Sequence, residues 1–211
     1  MEIRTASTLS EVDAQKMYEL LTANMHDLYV EAGWGWDEAG KRREIKHRQA
    51  RLLIARCGGT SASAGGEEGP GPAVRAEKSD AIAEQGTVEK VIERGELAGF
   101  CHFRFSWDQD EGDGGGIEDS DDVLYVHEIQ VAPWAKQRGL GRRMMQVLEL
   151  LANKHGMSKV MLTVFKANNQ AMSFYTKKMK YDIDEDSPSN WNRPDEVYEI
   201  LSKPTRHWGG R

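Results

Sequence analysis

The chain has 211 residues, 39% of them hydrophobic and 29% charged, so we expect one domain of about 100 to 200 residues that carries an insertion or a tail. This composition is too apolar for a disordered chain, and the sequence has no run of roughly 20 apolar residues that could span a membrane. The net charge of −6, from 28 basic and 34 acidic residues, disfavours a protein that wraps nucleic acid and suits one that binds a basic peptide.

The N-terminal part predicts two helices and a strand. Thr8-x-x-Glu11 has the spacing of a capping box, and apolar residues then recur at helical intervals to about Tyr29. The segment GWGW interrupts this helix, and a mostly polar helix is predicted from Asp37 to about Gln49. The run LLIA that begins at Leu52 is typical of a short buried strand.

Two strongly β-forming runs, LAGFCHFRFSW at 97–107 and VLYVHEIQV at 123–131, predict strands that pair as a long hairpin. A low-complexity insertion that begins GGTSASAGGEEGPGP precedes them at about 58–87. Between the two strands, a loop at about 108–122 holds eight acidic residues, four glycines and no basic residue. This loop is either an ordinary solvated connection or, at the hairpin tip, an acidic surface for a basic peptide.

The C-terminal part continues the alternation of helix and strand. The run from Leu140 to Lys154 is an amphipathic helix, KVMLTVF is a buried strand, and residues 169–178 form a short helix. Two last strands are predicted near 181–184 and 197–201. Apart from the insertion and the acidic loop, the pattern therefore predicts one compact α/β domain over residues 1–211.

The junction VAPWAKQRGLGRR at 131–143 joins the end of a strand directly to the start of a helix. Free backbone N–H groups and the positive end of the helix dipole converge there, which suits a phosphate or a pyrophosphate. Gly-Leu-Gly alone also occurs in ordinary strand-to-helix turns. A Rossmann site is disfavoured because Met144 occupies the position of its third glycine, and a Walker A loop is excluded because Gly-Lys-Ser/Thr does not occur.

Two motifs resemble the GNAT acetyltransferase family. Its members carry Q/R-x-x-G-x-G/A after the fourth strand, and the corresponding run here is Lys136-Gln-Arg-Gly139-Leu-Gly141. They also carry N-x-x-A-x-x-x-Y after the fifth strand, which Asn168, Ala171 and Tyr175 match. The resemblance implies the GNAT fold, an α/β fold with a single mixed β-sheet flanked by helices and an N-terminal helical segment. It also implies acetyl-CoA as co-substrate.

Within that family, longer runs are similar to the NatD subfamily, the N-terminal acetyltransferases of histone H4 and histone 2A. Among them are LYVEAGWGWDEAGKRREI, RGLGRRMMQVLELLAN and KVMLTVFKANN. The resemblance implies transfer of acetyl to the α-amino group of chains that begin Ser-Gly-Arg-Gly, with the tails of histone H4 and histone 2A as partners. Two residues depart from the subfamily pattern: His127 stands where a second Tyr is expected, and Asp186 where Ser is expected.

The same resemblance assigns residues to a site. Pantetheine would lie against the backbone of Ile129, Gln130 and Val131, and the pyrophosphate against Gln137, Arg138, Gly139, Leu140, Gly141 and Arg142, with Asn168 as a further cofactor contact. The peptide would contact Tyr29, Trp34, Asp108, Asp110, Tyr125, His127, Thr163, Asp186 and Tyr198. Glu128 would take the excess proton of the amine through a water, and Tyr175 or Tyr198 would protonate the leaving thiolate.

Simpler explanations exist for several of these side chains. Trp34 and Trp36 could anchor the first helix in a core, and Tyr125 and Tyr198 could be ordinary strand packing. Glu128 could be a solvated carboxylate at a strand edge. The function also has alternatives: a GNAT enzyme that acetylates another amine, such as Lys or a small polyamine, or an inactive acetyl-CoA-dependent reader of histone tails.

The N-terminus and the cysteines indicate a compartment. MEIRTASTLSEVDAQ lacks the apolar segment of a secretory signal and the acid-free pattern of a transit peptide. Cys57 and Cys101 make neither a disulfide framework nor the spacing of a zinc site, which fits a reducing compartment. We therefore expect a monomer in the nucleus and the cytoplasm, with no metal, no direct contact with nucleic acid and no membrane association.

Overall fold

The computed structural model describes residues 1–57, 95–106 and 122–205. The predicted insertion at 58–87 and nearly all of the acidic loop at 108–122 lie outside these residues. Within them, seven strands form one sheet in the order β1-β2-β3-β4-β5-β7-β6. The sheet is mixed because β4 and β5 run parallel, whereas every other neighbouring pair is antiparallel.

The N-terminal part begins with a strand that the sequence pattern did not reveal. β1 (Glu2–Thr5) pairs with β2 (Arg51–Arg56), and α1 (Glu11–Glu31) and α2 (Glu38–Ile45) lie between them in the chain. The predicted capping box is wrong. Ser10 is the N-cap of α1 and accepts the Asp13 N–H at 3.1 Å, whereas the Thr8 hydroxyl donates to the Thr5 carbonyl within a 3₁₀ turn.

The predicted hairpin strands are β3 (Leu97–Phe105) and β4 (Val123–Val131), and they pair antiparallel as expected. After β4 come α3 (Leu140–Lys154), β5 (Lys159–Phe165) and α4 (Asn169–Ser173). The chain then makes a π-helical turn over Phe174–Met179 where a continuous short helix was predicted. β6 (Asp182–Ile183) and β7 (Tyr198–Pro204) complete the sheet.

Each face of the sheet carries its own hydrophobic cluster. On one face, α3 packs Met144, Met145 and Leu148 against strand residues such as Phe103 and Leu124. The opposite face is covered by α1 and α2, whose buried side chains include Met17, Leu21 and Ile45 and lie against Leu52, Ile54 and Phe100. The helices therefore separate into two layers, with the sheet between them.

A β-bulge interrupts the pairing of β3 with β4. His102 is opposite Glu128 and Phe103 is opposite Val126, so His127 is an extra residue without a partner on β3. An extra residue reverses the alternation of side chains along the strand. Leu124 and Val126 face the α3 layer before the bulge, and Ile129 and Val131 face it afterwards. Consequently Glu128 and Gln130 point to the layer formed by α1 and α2.

Candidate active site

The site lies where two central strands separate. β4 pairs with β5 only from Val123↔Lys159 to Val126↔Leu162, and the rest of β5, from Thr163 to Phe165, pairs with β7 alone. Within the described residues, no strand therefore lies beside the edge of β4 from His127 to Val131 on that side. This edge borders a cavity of about 490 Å³. Backbone groups on such an edge can hydrogen-bond an extended ligand as a missing strand would.

Most of the residues assigned to a site from the sequence line this one cavity. Elements from both ends of the chain contribute to it: α1, the turn after it, β4, β5, the start of α4, the π-helical turn and β7. The assigned residues among its lining are Tyr29, Trp34, Tyr125, His127, Glu128, Ile129, Gln130, Thr163, Asn168, Tyr175 and Tyr198.

Aromatic side chains form one wall of the cavity. The Trp34 ring is 50% exposed and lies 4.9 Å from the Phe165 ring and 5.5 Å from the Tyr198 ring, measured between centroids. Tyr29 packs edge-on against Trp34 at 6.0 Å. Trp36 is different, because its indole N–H donates to Tyr18 Oη at 3.2 Å and it packs on the α1–α2 core. The core-anchor explanation thus fits Trp36, whereas Trp34 faces the cavity.

Tyr125 and Thr163 face each other across the point where β4 and β5 part. Their hydroxyl groups are hydrogen-bonded to each other. Burial raises the pKa of the Tyr125 phenol above its usual value, although the bond to Thr163 opposes that rise. The phenol therefore stays protonated at neutral pH and can donate a hydrogen bond into the cavity.

Glu128 is a buried carboxylate, with 7% of its surface exposed, and it lines the cavity. Its Oε2 accepts a hydrogen bond from Gln130 Nε2 at 2.9 Å, and its Oε1 lies 3.5 Å from Lys41 Nζ. Desolvation raises the pKa of this carboxyl, while Lys41 and the Gln130 amide oppose the rise. A carboxylate with a raised pKa is a better base than one in water.

Two histidines stack next to this carboxylate. The His102 and His127 rings lie 4.7 Å apart with 18° between their planes. Burial, together with the cations of Arg104 and Lys41, lowers the pKa of His127 to about 4. For His102, burial first and then the proximity of His127 and of the Arg104 cation lower the pKa well below its usual value. Both rings are therefore neutral at pH 7, so neither is a strong base.

The turn from β4 to α3 presents unpaired backbone donors. Gln137 and Gly139 have positive φ angles of 61° and 79°, and Gly139 is the N-cap of α3 without a side-chain cap. The first helical hydrogen bond runs from the Arg143 N–H to the Gly139 carbonyl. The N–H groups of residues 140–142 precede that bond and have no partner within the helix. An anion such as the pyrophosphate of coenzyme A fits this turn.

Asn168 holds the start of α4 in place. Its Oδ1 accepts the Ala171 N–H at 3.1 Å, which makes it the N-cap of that helix, and it also borders the cavity. Tyr175 lies about two turns further along, with 6% of its surface exposed. Burial raises the pKa of the Tyr175 phenol, which keeps its proton available at neutral pH.

One assigned substrate residue lies away from the cavity, and two others fall outside the part of the chain that the structure describes. Asp186 is exposed on the turn after β6, where its N–H donates to Asp184 Oδ1 at 3.0 Å. It does not line the cavity. Asp108 and Asp110 lie outside the described residues. Sequence reasoning in turn missed Lys41 and Asn24, which bond to the site from the two N-terminal helices.

The other chemistries considered from the sequence find little support among the described residues. Cys101 is fully buried in the core on the α3 side, and burial raises the pKa of its thiol. Cys57 is exposed at the end of β2. Over residues 1–57, 95–106 and 122–205 there is no group of three or more His, Cys, Asp or Glu placed to hold a metal ion. No helix in the same ranges is both long and apolar enough to cross a bilayer.

Comparison with known proteins gives a family and a fold. Residues 64–181, more than half of the chain, match the model of the acetyltransferase (GNAT) family. Ard1 from Thermoplasma volcanium superposes with a TM-score of 0.53 at 14% identity, over 97% of this chain and 97% of that one. Naa20 from Chaetomium thermophilum, crystallised with a bisubstrate analogue, superposes with a TM-score of 0.52 at 15% identity, over 99% of this chain and 88% of that one.

A third structure, of nourseothricin acetyltransferase, matches in part. The identity is 24%, the match covers 52% of this chain, and the TM-score is 0.37. The chain spans 59% of the length of that protein. At these levels of identity, the likeness to Ard1 and Naa20 is a likeness of fold: a mixed sheet flanked by helices, as the sequence predicted.

Proposed function

Because the chain belongs to the GNAT acetyltransferase family, and is therefore an acetyl-CoA-dependent acetyltransferase, we propose that its acceptor is the N-terminal α-amine of histone H4 and histone 2A. The acceptor chains would begin Ser-Gly-Arg-Gly. The observation that carries the proposal is the buried Glu128 carboxylate, which lines a cavity walled by Tyr29, Trp34, Tyr125 and Tyr198. These are the residues that the similarity to the NatD subfamily assigns to the base and to the peptide.

The donor acetyl-CoA would bind along the free edge of β4 and the turn that follows. Backbone groups of Ile129 and Val131 would hydrogen-bond the pantetheine arm, because they lie where β5 has already diverged. The N–H groups at the start of α3 would hold the pyrophosphate. Bound in this way, the thioester would end between β4 and β5, next to the cavity that the acceptor enters.

The acceptor would enter from the aromatic wall. Four aromatic rings around an open cavity can enclose the backbone of a short peptide, and the hydroxyl groups of the three tyrosines can hydrogen-bond it. A cavity of about 490 Å³ holds a few residues of an extended chain. A chain terminus could bring its α-amine to Glu128 by this route.

The reaction needs little help with deprotonation. A peptide α-amine has a pKa near 7.7 to 8.0, so roughly a fifth to a third of it is neutral at pH 7.4, whereas a Lys side chain near 10.4 is neutral only about one time in a thousand. The neutral amine would attack the thioester carbonyl directly, with no acyl-enzyme. No thiol lies among the described residues that line the cavity. Positioning and polarisation of the carbonyl would lower most of the barrier.

Proton transfers would complete the reaction. As the C–N bond forms, the amine nitrogen becomes positively charged, and Glu128 would take its excess proton through a water. The C–S bond then breaks, and Tyr175 or Tyr198 would donate a proton to the coenzyme A thiolate. Both phenols line the cavity.

One assay tests the acceptor directly. The protein is incubated with acetyl-CoA and a peptide beginning SGRGK, either with a free N-terminus or with the N-terminus already blocked, and products are read by mass. Acetylation of the free peptide alone is the expected result. Product on the blocked peptide would indicate Lys acetylation, and peptide binding without product would indicate a histone-tail reader.

Replacing Glu128 by Gln tests the proposed base. We expect kcat to fall roughly tenfold to a thousandfold, with a smaller change in acetyl-CoA binding, because the carboxylate acts on the proton and not on the donor. A rate profile from pH 6 to 9 measures the effect. A variant with the parental kcat across that range would remove Glu128 from the mechanism.

Substitutions in the acidic loop test whether this loop recognises the third residue of the acceptor. From the sequence, we propose that Asp108, Asp110 and Glu111 attract its Arg, since guanidinium–carboxylate bonds are strong and Lys matches them poorly. Neutralising all three should raise KM for Ser-Gly-Arg-Gly peptides by roughly tenfold, with a smaller rise for Ser-Gly-Ala-Gly peptides. Equal rises in KM for the two peptides would mean that these acidic residues do not bind the Arg.

The proposal further places the enzyme, as a monomer, in the nucleus and the cytoplasm, with no contact to nucleic acid or membrane.

A further inference from the structure

A chain of side-chain amides leads from α1 to the carboxylate of Glu128. Lys136 Nζ donates to Asn24 Oδ1 at 3.2 Å, and Asn24 Nδ2 donates to Gln130 Oε1 at 3.0 Å. Gln130 Nε2 then donates to Glu128 Oε2 at 2.9 Å. The Lys136–Asn24 bond is exposed, whereas Gln130 is buried, so water competes little for the two bonds that Gln130 makes. The sequence analysis gave Asn24 no role and gave Gln130 only a backbone role.

The direction of this chain is determined at Asn24. A Lys ammonium can only donate, so it fixes Oδ1 of Asn24 on its side. The Val131 carbonyl can only accept, and it lies 3.3 Å from Asn24 Nδ2, which fixes the amide nitrogen on the other side. Gln130 must then turn its oxygen to Asn24 and its nitrogen to Glu128. No other arrangement of the two amides satisfies both ends.

We propose that Gln130, oriented by Asn24, is a positioning residue that holds the Glu128 carboxylate in the orientation and charge state in which it accepts a proton from the acceptor amine. This inference rests on the proposed function only in taking Glu128 as the base. Gln130 holds Oε2 and Lys41 stands at Oε1, so each oxygen has a donor of its own. With both donors in place, the side chain cannot rotate freely.

Other groups around Glu128 also influence its protonation. Lys41 and Glu44 face it from α2, and Tyr29 faces it from α1. Tyr175 faces it from the π-helical turn, and His102 is its partner on β3. Glu44 and burial favour the protonated carboxyl, whereas Lys41 and Gln130 favour the carboxylate. Loss of the Gln130 donor therefore shifts Glu128 towards its protonated, inactive form.

The test uses two neutral substitutions, Gln130→Met and Asn24→Leu, which add no charge near the site. Gln146→Met, on the exposed side of α3, is the matched control. The titration of Glu128 is followed by ¹³C NMR of its Cδ, assigned as the signal lost in Glu128→Gln. We expect the midpoint to rise by about one pH unit in Gln130→Met and by less in Asn24→Leu, with no change in the control.

Activity gives the second readout. The acidic limb of kcat/KM should move up with the NMR midpoint, so that Gln130→Met loses up to about tenfold on the acidic side of that limb and recovers at pH 9. The acceptor amine titrates in the same way with every variant, so its effect cancels in the ratio of a variant's kcat/KM to that of the parent at the same pH. KM for acetyl-CoA should change less than about twofold.

The two proposals fail in different ways. An unchanged Glu128 midpoint in both variants, or a loss of activity that is equal at every pH, would overturn the positioning role. If the parent does not acetylate the Ser-Gly-Arg-Gly peptide, the proposed acceptor is wrong, yet the NMR titration still decides whether Gln130 and Asn24 control Glu128. A shift of the midpoint in the Gln146→Met control would also count against the inference.

Discussion

Lys41 Nζ lies 3.5 Å from Glu128 Oε1, so a cation from the short helix α2 reaches the buried carboxylate on the central strand. The same ammonium donates to Tyr29 Oη at 2.8 Å and to Glu44 Oε2 at 3.0 Å. Only 13% of the Lys41 side chain is exposed. A buried cation with three such partners ties both N-terminal helices to the site, which explains why so polar a helix packs there.

Replacing Lys41 by Met should move the acidic limb of kcat/KM to higher pH. The ammonium lowers the pKa of Glu128 against the effect of burial, so its removal raises that pKa and leaves less carboxylate at neutral pH. We expect the limb to move up by about one pH unit, with a loss of up to about tenfold on its acidic side, since one pH unit is a factor of ten, and recovery at higher pH. Lys16→Met, on the exposed side of α1, should leave the profile unchanged. A Lys41→Met profile parallel to that of the parent would contradict this role.

Gly139 and Gly156 stand at the two ends of α3 with φ angles of 79° and 74°, and an added Cβ would meet nothing within 4 Å at either position. Substitution by Ala should therefore cost each protein the same backbone strain, about 1 to 2 kcal/mol in the free energy of unfolding. Only Gly139→Ala should raise KM for acetyl-CoA, by roughly threefold to tenfold, because it alone disturbs the donors at the start of the helix. A rise in KM for both variants would show that the loss of stability causes it.

His102 should make the fold sensitive to acid. Its pKa is lowered in the folded protein, so below about 6.5 the unfolded chain binds a proton that the folded chain rejects. The contribution is complete above pH 6.5 and is lost as the pH falls towards the lowered value. Between pH 7 and pH 5 the loss is at most about 2 kcal/mol. Urea unfolding at both values measures it, and in His102→Leu the difference between pH 7 and 5 should shrink by that amount.

His127→Tyr should be nearly silent for catalysis. The His127 ring is neutral, with a pKa of about 4, and it contacts His102 and Tyr125 through its faces. A phenol ring can keep those contacts, and Tyr is the residue that the NatD-like pattern leads us to expect there. We predict a kcat within about threefold of the parent and an unchanged profile from pH 6 to 9. A tenfold fall would give His127 a chemical role.

The long apolar elements could be predicted from the sequence because each carries its own periodic signal. The bounds of β4, β5 and α3 agree with prediction to the residue, and the β3–β4 hairpin is confirmed. β1 escaped notice because it is four residues long and only half-buried, and charged side chains dilute its alternation. Ser10 competed with Thr8 as a cap, and both have suitable side chains.

The residues of the site were found for a different reason. The pattern at 131–143 predicted an anion-binding turn from chemistry alone, whereas Tyr29, Trp34 and Tyr198 came from resemblance to a family. Asn24 and Lys41 had no signal of either kind. Each is an ordinary polar residue on a helix, and its partner on β4 lies far away in the chain. Contacts of that sort depend on how the helices dock on the sheet, which local patterns do not encode.

Because of the bulge at His127, side chains before this residue and after it alternate between the two faces of the sheet in opposite phase. Counted in a single phase along the whole strand, Glu128 and Gln130 belong with Leu124 and Val126, among the methionines and phenylalanines that α3 covers. A strand that ran through residue 127 without the bulge would place the carboxylate there, away from Lys41, and a carboxyl in such surroundings costs several kcal/mol unless it is neutralised. The irregular pairing at His127 therefore determines on which side of the sheet the Glu128 carboxylate lies.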